Sequence, residues 1–194
     1  MAQPFTSEQL EAIRGRLFDS ACRHALTGGV KKTSLDTLTA EAGISKSSFY
    51  KFYESKEQLF LAVAERWEKQ LLERGARALA LSQDKPNKAR AAAFVFAVFE
   101  GIHGMGVARF LREDLPYLND FAPGRETKAH CIDSAESIFA QLRSAQITFT
   151  APDETVRSVI KLLYLSILNI GDLGTGFFPA LRELVASACD RLVA

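Results

Sequence analysis

An all-α fold is what the sequence predicts, and three observations carry the prediction. Apolar residues recur at three- and four-residue spacing from one end of the chain to the other. Capping and glycine signals separate these runs, and no segment alternates apolar and polar residues between turn residues as a strand would. The 194 residues, 47% of them apolar, suffice for one well-buried domain or for a small module attached to a larger one.

The first helix begins after Thr6, which fits a capping box with Gln9, while Phe5 can staple onto Leu10. Its buried stripe is Leu10, Ile13, Leu17, Ala21 and Ala25, and Gly28 with Gly29 stops it, because glycine takes a left-handed cap without a Cβ penalty. Thr33 with Asp36 opens a short second helix that ends at Gly43. A third starts almost at once, with Ser45 as N-cap and Ile44 set to pack on Phe49. The fourth opens on a Ser55 and Gln58 capping box. Leu59, Val63, Trp67 and Leu71 at four-residue spacing carry it to about Ser82. After the polar connection 82–88, further helices are expected near 86–103, 105–119, 123–146, 152–171 and 178–193. The glycines of GIHGMG (101–106) and GDLGTG (171–176) run in the reverse order of the dinucleotide fingerprint and follow no strand, so they read as helix ends and bends.

Bulk properties exclude several classes. No run of about 18 apolar residues occurs and the start lacks a basic and an apolar leader region, so the expectation is a cytoplasmic protein without membrane contact. Cys22, Cys131 and Cys189 are odd in number and far apart, which favours buried free thiols over disulfides or a metal site. The net charge of +1 confines any nucleic-acid site to a local patch, and residues 1–56 hold eight basic against six acidic residues, too weak an asymmetry to decide the matter.

The stretch TLTAEAGISKSSFYKFYESKEQLF, residues 37–60, interrupts an apolar helical pattern at Gly43, restarts it, and then crowds lysines, serines and aromatics together. Two short helices across a glycine turn, after a longer supporting helix, make a helix-turn-helix, whose second helix enters a DNA major groove. Gly43 permits the turn, Ile44 and Phe49 point inward, and Lys46, Ser47, Ser48, Tyr50 and Lys51 are left facing outward at a helix start that attracts phosphate. Lys46 can read guanine or pair a phosphate, the serines can meet bases or backbone, and Tyr50 offers a hydroxyl and a ring. Lys56 suits its own helix dipole poorly, and is expected on the DNA backbone. From the pattern alone, the same geometry serves packing as well as DNA binding.

Residues 33–60 resemble the DNA-binding signature of the TetR (tetracycline repressor) family of bacterial transcriptional regulators. The matching elements are Thr33-Ser34, Ala42-Gly43-Ile44-Ser45, the cluster Phe49-Tyr50-Lys51-Phe52-Tyr53, and Ser55-Lys56-Glu57 followed by Leu59-Phe60. Leu38-Thr39 and Tyr53 depart from the usual residues without disturbing the turn. The resemblance implies a three-helix DNA-binding domain over residues 1–56 and a helical effector-binding and dimerisation domain over 57–194. It implies a dimer that binds a palindromic operator as a repressor and is released by a small molecule. The expected DNA-binding residues are Thr33, Ser34, Lys46, Ser47, Ser48, Tyr50, Lys51 and Lys56.

In the C-terminal part, aromatics at helical spacing are core or cavity lining, and Trp67, Phe96, His103, Phe110, Tyr117 and Tyr164 are the ligand-binding candidates. The segment 158–171 is apolar almost all round and must be covered on more than one side. With the neighbouring stripe of 178–193 it predicts a two-fold four-helix interface through Ile160, Ile167, Leu181, Leu184 and Val185. No HExxH, phosphate loop, GxSxG or histidine cluster occurs, so no catalytic residue, metal or cofactor is assigned. A helical enzyme, or a helical interaction protein that does not bind DNA, is the alternative.

Overall fold

A computed structural model describes residues 6–121, 133–170, 174 and 176–194. Among these residues there are ten helices and no strand, only an isolated bridge pairing Phe149 with Val193. Phe5, His130, Cys131, most of GDLGTG and the first part of the expected 123–146 helix lie outside the described residues.

The helices are α1 (Ser7–Thr27), α2 (Leu35–Ala42), α3 (Lys46–Phe49), α4 (Lys56–Ala80) and α5 (Asn87–Gly104). They continue with α6 (Ala108–Glu113), α7 (Leu115–Asn119), α8 (Ser134–Ser144), α9 (Asp153–Leu168) and α10 (Phe177–Leu192). The single helix expected over 105–119 is therefore two, α6 and α7, parted at Asp114 ahead of Pro116. Local chemistry sets the other ends. Thr6 and Gln9 form the reciprocal capping box. Gly29 and Gly43 take the left-handed conformation, with φ of 81° and 71°. Ser34, rather than Thr33, caps α2 by accepting the Thr37 N–H.

The chain forms two compact units, one drawn from Met1–Arg66 and Phe110–Ile132, the other from Trp67–Arg109 and Asp133–Ala194. In the first, α1 packs on α2 and α2 on α3, over a core of Leu17, Leu38, Phe49, Leu59 and Phe60. In the second, α5 packs on α10 and α8 on α9, with Phe94, Phe99, Ile138, Ile160, Ile167 and Leu181 inside. Gly75 and Gly101 allow close approach there: a Cβ on Gly75 would stand 2.6 Å from the Phe94 ring. No described helix is long and apolar enough to cross a membrane.

Candidate nucleic-acid interface

The turn between α2 and α3 is built as its residues dictate. Gly43 is the left-handed C-cap of α2, and Ile44 N–H returns to the Thr39 carbonyl at 3.0 Å. Thr39 is buried and spends its hydroxyl on the Leu35 and Asp36 carbonyls, so it bends back onto its own helix. Ser45 caps α3 by accepting the Ser48 N–H at 3.2 Å, and its hydroxyl also meets those of Ser47 and Ser48.

Helix α3 is a single turn, and Tyr50 is its C-cap. One turn sums few peptide dipoles and one of its first amides is already taken by Ser45, so less phosphate attraction comes from the helix itself than the sequence suggests. What remains is side-chain chemistry. Phe49 is fully buried, with Tyr50 edge-on at 5.6 Å and Tyr53 at 6.0 Å between ring centres. Burial raises the Tyr53 hydroxyl pKa, which marks it as partly structural. Tyr50 is 59% exposed, an uncommon position for a large ring. Ser47 and Lys51 are exposed beside it, and the exposed Lys46 ammonium stands 2.8 Å from Asp36. An exposed ion pair of that kind is worth little and exchanges readily for a phosphate.

Of the eight expected DNA-facing residues, Lys46, Ser47, Ser48, Tyr50 and Lys51 lie on or beside this turn, Ser34 caps the start of α2, and all six are exposed or half-exposed. Two differ. Thr33 is buried, and its hydroxyl donates to the Gly29 carbonyl at 2.8 Å. Lys56 points into its own unit, its ammonium donating to the Val30 and Thr33 carbonyls, each at 2.9 Å. The physical reason is the one that made Lys56 look misplaced: a cation unwelcome at a helix N-terminus is compensated by acceptors, and the α1–α2 turn supplies them.

Sequence reasoning missed the clamp that holds α2 to α1. Glu41 accepts from the Ser20 hydroxyl at 2.6 Å and from Arg23 at 2.8 Å, and its other oxygen meets His24 Nε2 at 2.9 Å. The Ser20 and His24 bonds, followed by Arg23, lower the Glu41 carboxyl pKa to about 2. Arg16 adds a bond from Nε to the Ala42 carbonyl, at 2.9 Å. Nothing in local spacing marks Glu41 out, since its partners are 17 to 21 residues away.

The six expected ligand-binding residues divide between the two units. Phe110 and Tyr117 belong to the first unit, where Phe110 is buried and the Tyr117 hydroxyl donates to Glu57 at 3.3 Å. Trp67 and Tyr164 are buried in the second unit, and burial pushes the Tyr164 hydroxyl up to about 12. His103 is exposed and meets Phe178 edge-on, with ring centres 4.8 Å apart, so it is not the buried polar group the glycines around it suggested. Phe96, 3.9 Å beneath the Arg182 guanidinium, borders two open grooves of about 510 and 520 Å³ along α5 and α10. A small apolar pocket in the same unit, among Val95, Leu142, Ile160, Leu163, Val185 and Cys189, measures about 30 Å³, too small for more than water.

The expected interface residues need a similar correction. Ile160, Ile167, Leu181 and Val185 are buried within the second unit, where α9 packs chiefly on α8 and also on α5 and α10, and α10 packs on α5. Of the five, only Leu184 is exposed, at 58%. The outward apolar residues of α9 are Leu162 and Leu165, 65% and 46% exposed and three positions apart on one face. Cys22 and Cys189 are free thiols, their pKa values raised by burial to about 11 and about 12. Among the described residues no cluster of three or more His, Cys, Asp or Glu could hold a metal ion.

Residues 17–63 match the family described as bacterial regulatory proteins, tetR family. Similar solved structures span nearly the whole chain. One is a TetR-family regulator from Haemophilus influenzae RD, 11% identical with a TM-score of 0.65, covering 97% of this chain and 100% of that one. Another, from Bordetella parapertussis 12822, is 20% identical with a TM-score of 0.64, covering 92% of this chain and 95% of its own. A third, the superantigen PfiT, is also 20% identical, with a TM-score of 0.66 and coverage of 94% and 97%. A comparison with curated proteins found no match.

Proposed function

We propose that the chain is a ligand-responsive DNA-binding transcriptional regulator of the tetR family, not an enzyme, a reading supported by the match of residues 17–63 to that family of bacterial regulatory proteins. In this reading it binds a palindromic operator as a homodimer, represses, and is released by a small molecule. Fold alone does not carry the reading, since a protein described as a superantigen shares the architecture. The observation that does is Tyr50: a large ring held 59% exposed immediately after the buried Phe49, with serine hydroxyls and Lys46 around it. That arrangement costs apolar burial and supplies nothing to the core, while it suits a groove in which a hydroxyl meets phosphate and a ring edge meets a thymine methyl.

A dimer reads two half-sites about 34 to 36 Å apart, so a small change in the separation of its reading turns misaligns both at once. Helix α4 supplies residues to both units along one continuous backbone, which favours it as the element that carries the effector's influence. The open grooves beside Phe96 and Arg182 suit an effector with an apolar body and an anionic group better than the small 30 Å³ apolar pocket does.

Selection of duplexes from a random library by the wild-type protein tests DNA binding. Tyr50→Ala should lose affinity for the selected duplex by at least about tenfold with unchanged helical content and melting. Enrichment of no sequence by the wild type would end the regulator reading. Unchanged affinity in the variant would remove Tyr50 from the interface.

A further inference from the structure

The α1–α2 turn, residues 28–33, is held by charge from two distant parts of the sequence. Its middle residue, Val30, is fully buried, and both of its backbone polar groups are engaged by ionisable side chains. The Val30 N–H donates to Asp114 Oδ1 at 3.1 Å, and its carbonyl accepts from the Lys56 ammonium at 2.9 Å. Lys56 also bonds the Thr33 carbonyl, and the Thr33 hydroxyl closes the turn onto Gly29. Asp114 stands 84 residues from its partner in sequence, yet in the same compact unit.

Asp114 is placed for this task at the expense of another. It occupies the N-cap position of α7, where an aspartate ordinarily accepts an N–H from its own first turn. It makes no such bond, its backbone is αR rather than extended, and Pro116 removes one of the amides it would have capped. The residue is only 5% exposed, and its Oδ1 is set on the amide of a fully buried turn residue, where a polar group needs a partner. Around it, the Tyr117 hydroxyl donates to Glu57, the Tyr117 ring lies under Lys31 at 4.9 Å, and Gln58 donates to the Phe121 carbonyl at 3.0 Å. The segment Asp114–Phe121 thus meets the α1–α2 turn and the first turn of α4, the two places from which α2 and α3 are suspended.

We propose that Asp114 is a positioning residue for DNA binding: with Lys56 it fixes the α1–α2 turn, and through it the pose of the α2–α3 reading turn, without touching DNA. The proposal rests on the regulator reading above. It assigns operator affinity in part to a residue far outside the 17–63 stretch that identifies the DNA-binding module.

The experiment uses the full chain and the duplex selected by the wild type. Asp114→Ala should raise the Kd for that duplex about tenfold, the order expected when a charge-assisted hydrogen bond is lost. Its slope of log affinity against log salt should equal the wild type's, because no phosphate contact goes with it. Hydrogen exchange of the peptide covering residues 28–33 should speed up in the variant without added DNA. Asp114→Asn, which keeps size and a carbonyl acceptor, should recover most of the exchange protection and part of the affinity, and it serves if the alanine variant fails to fold. Lys56→Met should likewise weaken binding at unchanged salt slope.

Wild-type affinity in folded Asp114→Ala and Asp114→Asn would overturn the proposal and leave the regulator reading standing. Wild-type exchange of residues 28–33 in both variants would overturn it as well. A salt slope lowered by about one charge in Lys56→Met would return Lys56 to the DNA backbone and end its part in the turn. If the wild type enriches no duplex, the regulator reading falls first and the positioning role falls with it.

Discussion

Leu162→Arg should split the proposed dimer into folded monomers, whereas Ile167→Arg, five residues on in the same helix, should unfold the second unit instead. Leu162 is 65% exposed, and full burial of a leucine is worth about 1.5 to 3 kcal/mol, so covering each copy contributes about 1 to 2 kcal/mol. A two-fold interface contains it twice, and the two guanidiniums left unpaired in an apolar contact add a penalty of several kcal/mol. The total is about 5 kcal/mol or more, a dissociation constant raised by at least about a thousandfold. Sedimentation velocity at micromolar concentration should then give a monomer with wild-type circular dichroism. Ile167 has no exposed surface, so an arginine there is buried within its own chain, and the signature is lost helicity and a lower melting temperature. A dimeric Leu162→Arg would refute the assignment of that face. A folded monomer from Ile167→Arg would refute the inward placement of the opposite one, and a monomeric wild type would remove the interface altogether.

Two glycines inside helices, alike in sequence, should respond to alanine with opposite signs. Gly15 has nothing within 4 Å of a built Cβ, so Gly15→Ala should stabilise by about 0.5 to 1 kcal/mol, while at Gly75 the same gain is outweighed by about 1 to 3 kcal/mol of overpacking against Phe94. Urea denaturation decides it, and shifts of the same sign would refute the argument. The Glu41 clamp should add an acid limb to stability. Its folded pKa of about 2 lies below the ordinary 4.5, so its contribution is complete above pH 4.5 and is lost as pH falls from there toward 2. Because the side chain is 36% exposed, solvent screening reduces the contribution to about 1 kcal/mol. Glu41→Gln should remove that limb from the melting-temperature profile, and an identical profile in the variant would show that the clamp is not formed in solution.

Much of the first unit was legible because its determinants act within four residues. The Thr6 and Gln9 box, the Ser45 cap and the left-handed Gly43 each follow from which local backbone groups lack partners and which side chains or conformations supply them. The fully buried Phe49 beside the exposed Tyr50 follows from the direction a one-turn helix gives consecutive side chains. The larger revisions, Lys56 and the inward sides of α9 and α10, depend on partners distant in sequence. An apolar pattern running all round α9 says that more than one side is covered, but not which side the chain covers itself: Ile160 and Ile167 face inward, and Leu162 and Leu165 are the exposed pair. The aromatics fail in the same way, since a ring at core spacing satisfies a cavity wall and a packed interior equally, and Trp67 and Phe110 resolve to the interior.

Lys56 shows the limit most clearly. The sequence states that its charge opposes its own helix and must be answered by acceptors, and DNA phosphate and backbone carbonyl answer it equally well. The choice between them is made by Gly28 and Gly29, which turn the chain so that the Val30 and Thr33 carbonyls come within 2.9 Å of the ammonium. A family signature records that a lysine stands at this position, but the same residue type can serve the fold in one chain and the ligand in another. Functional assignment at such a position has to begin from where the charge is already satisfied.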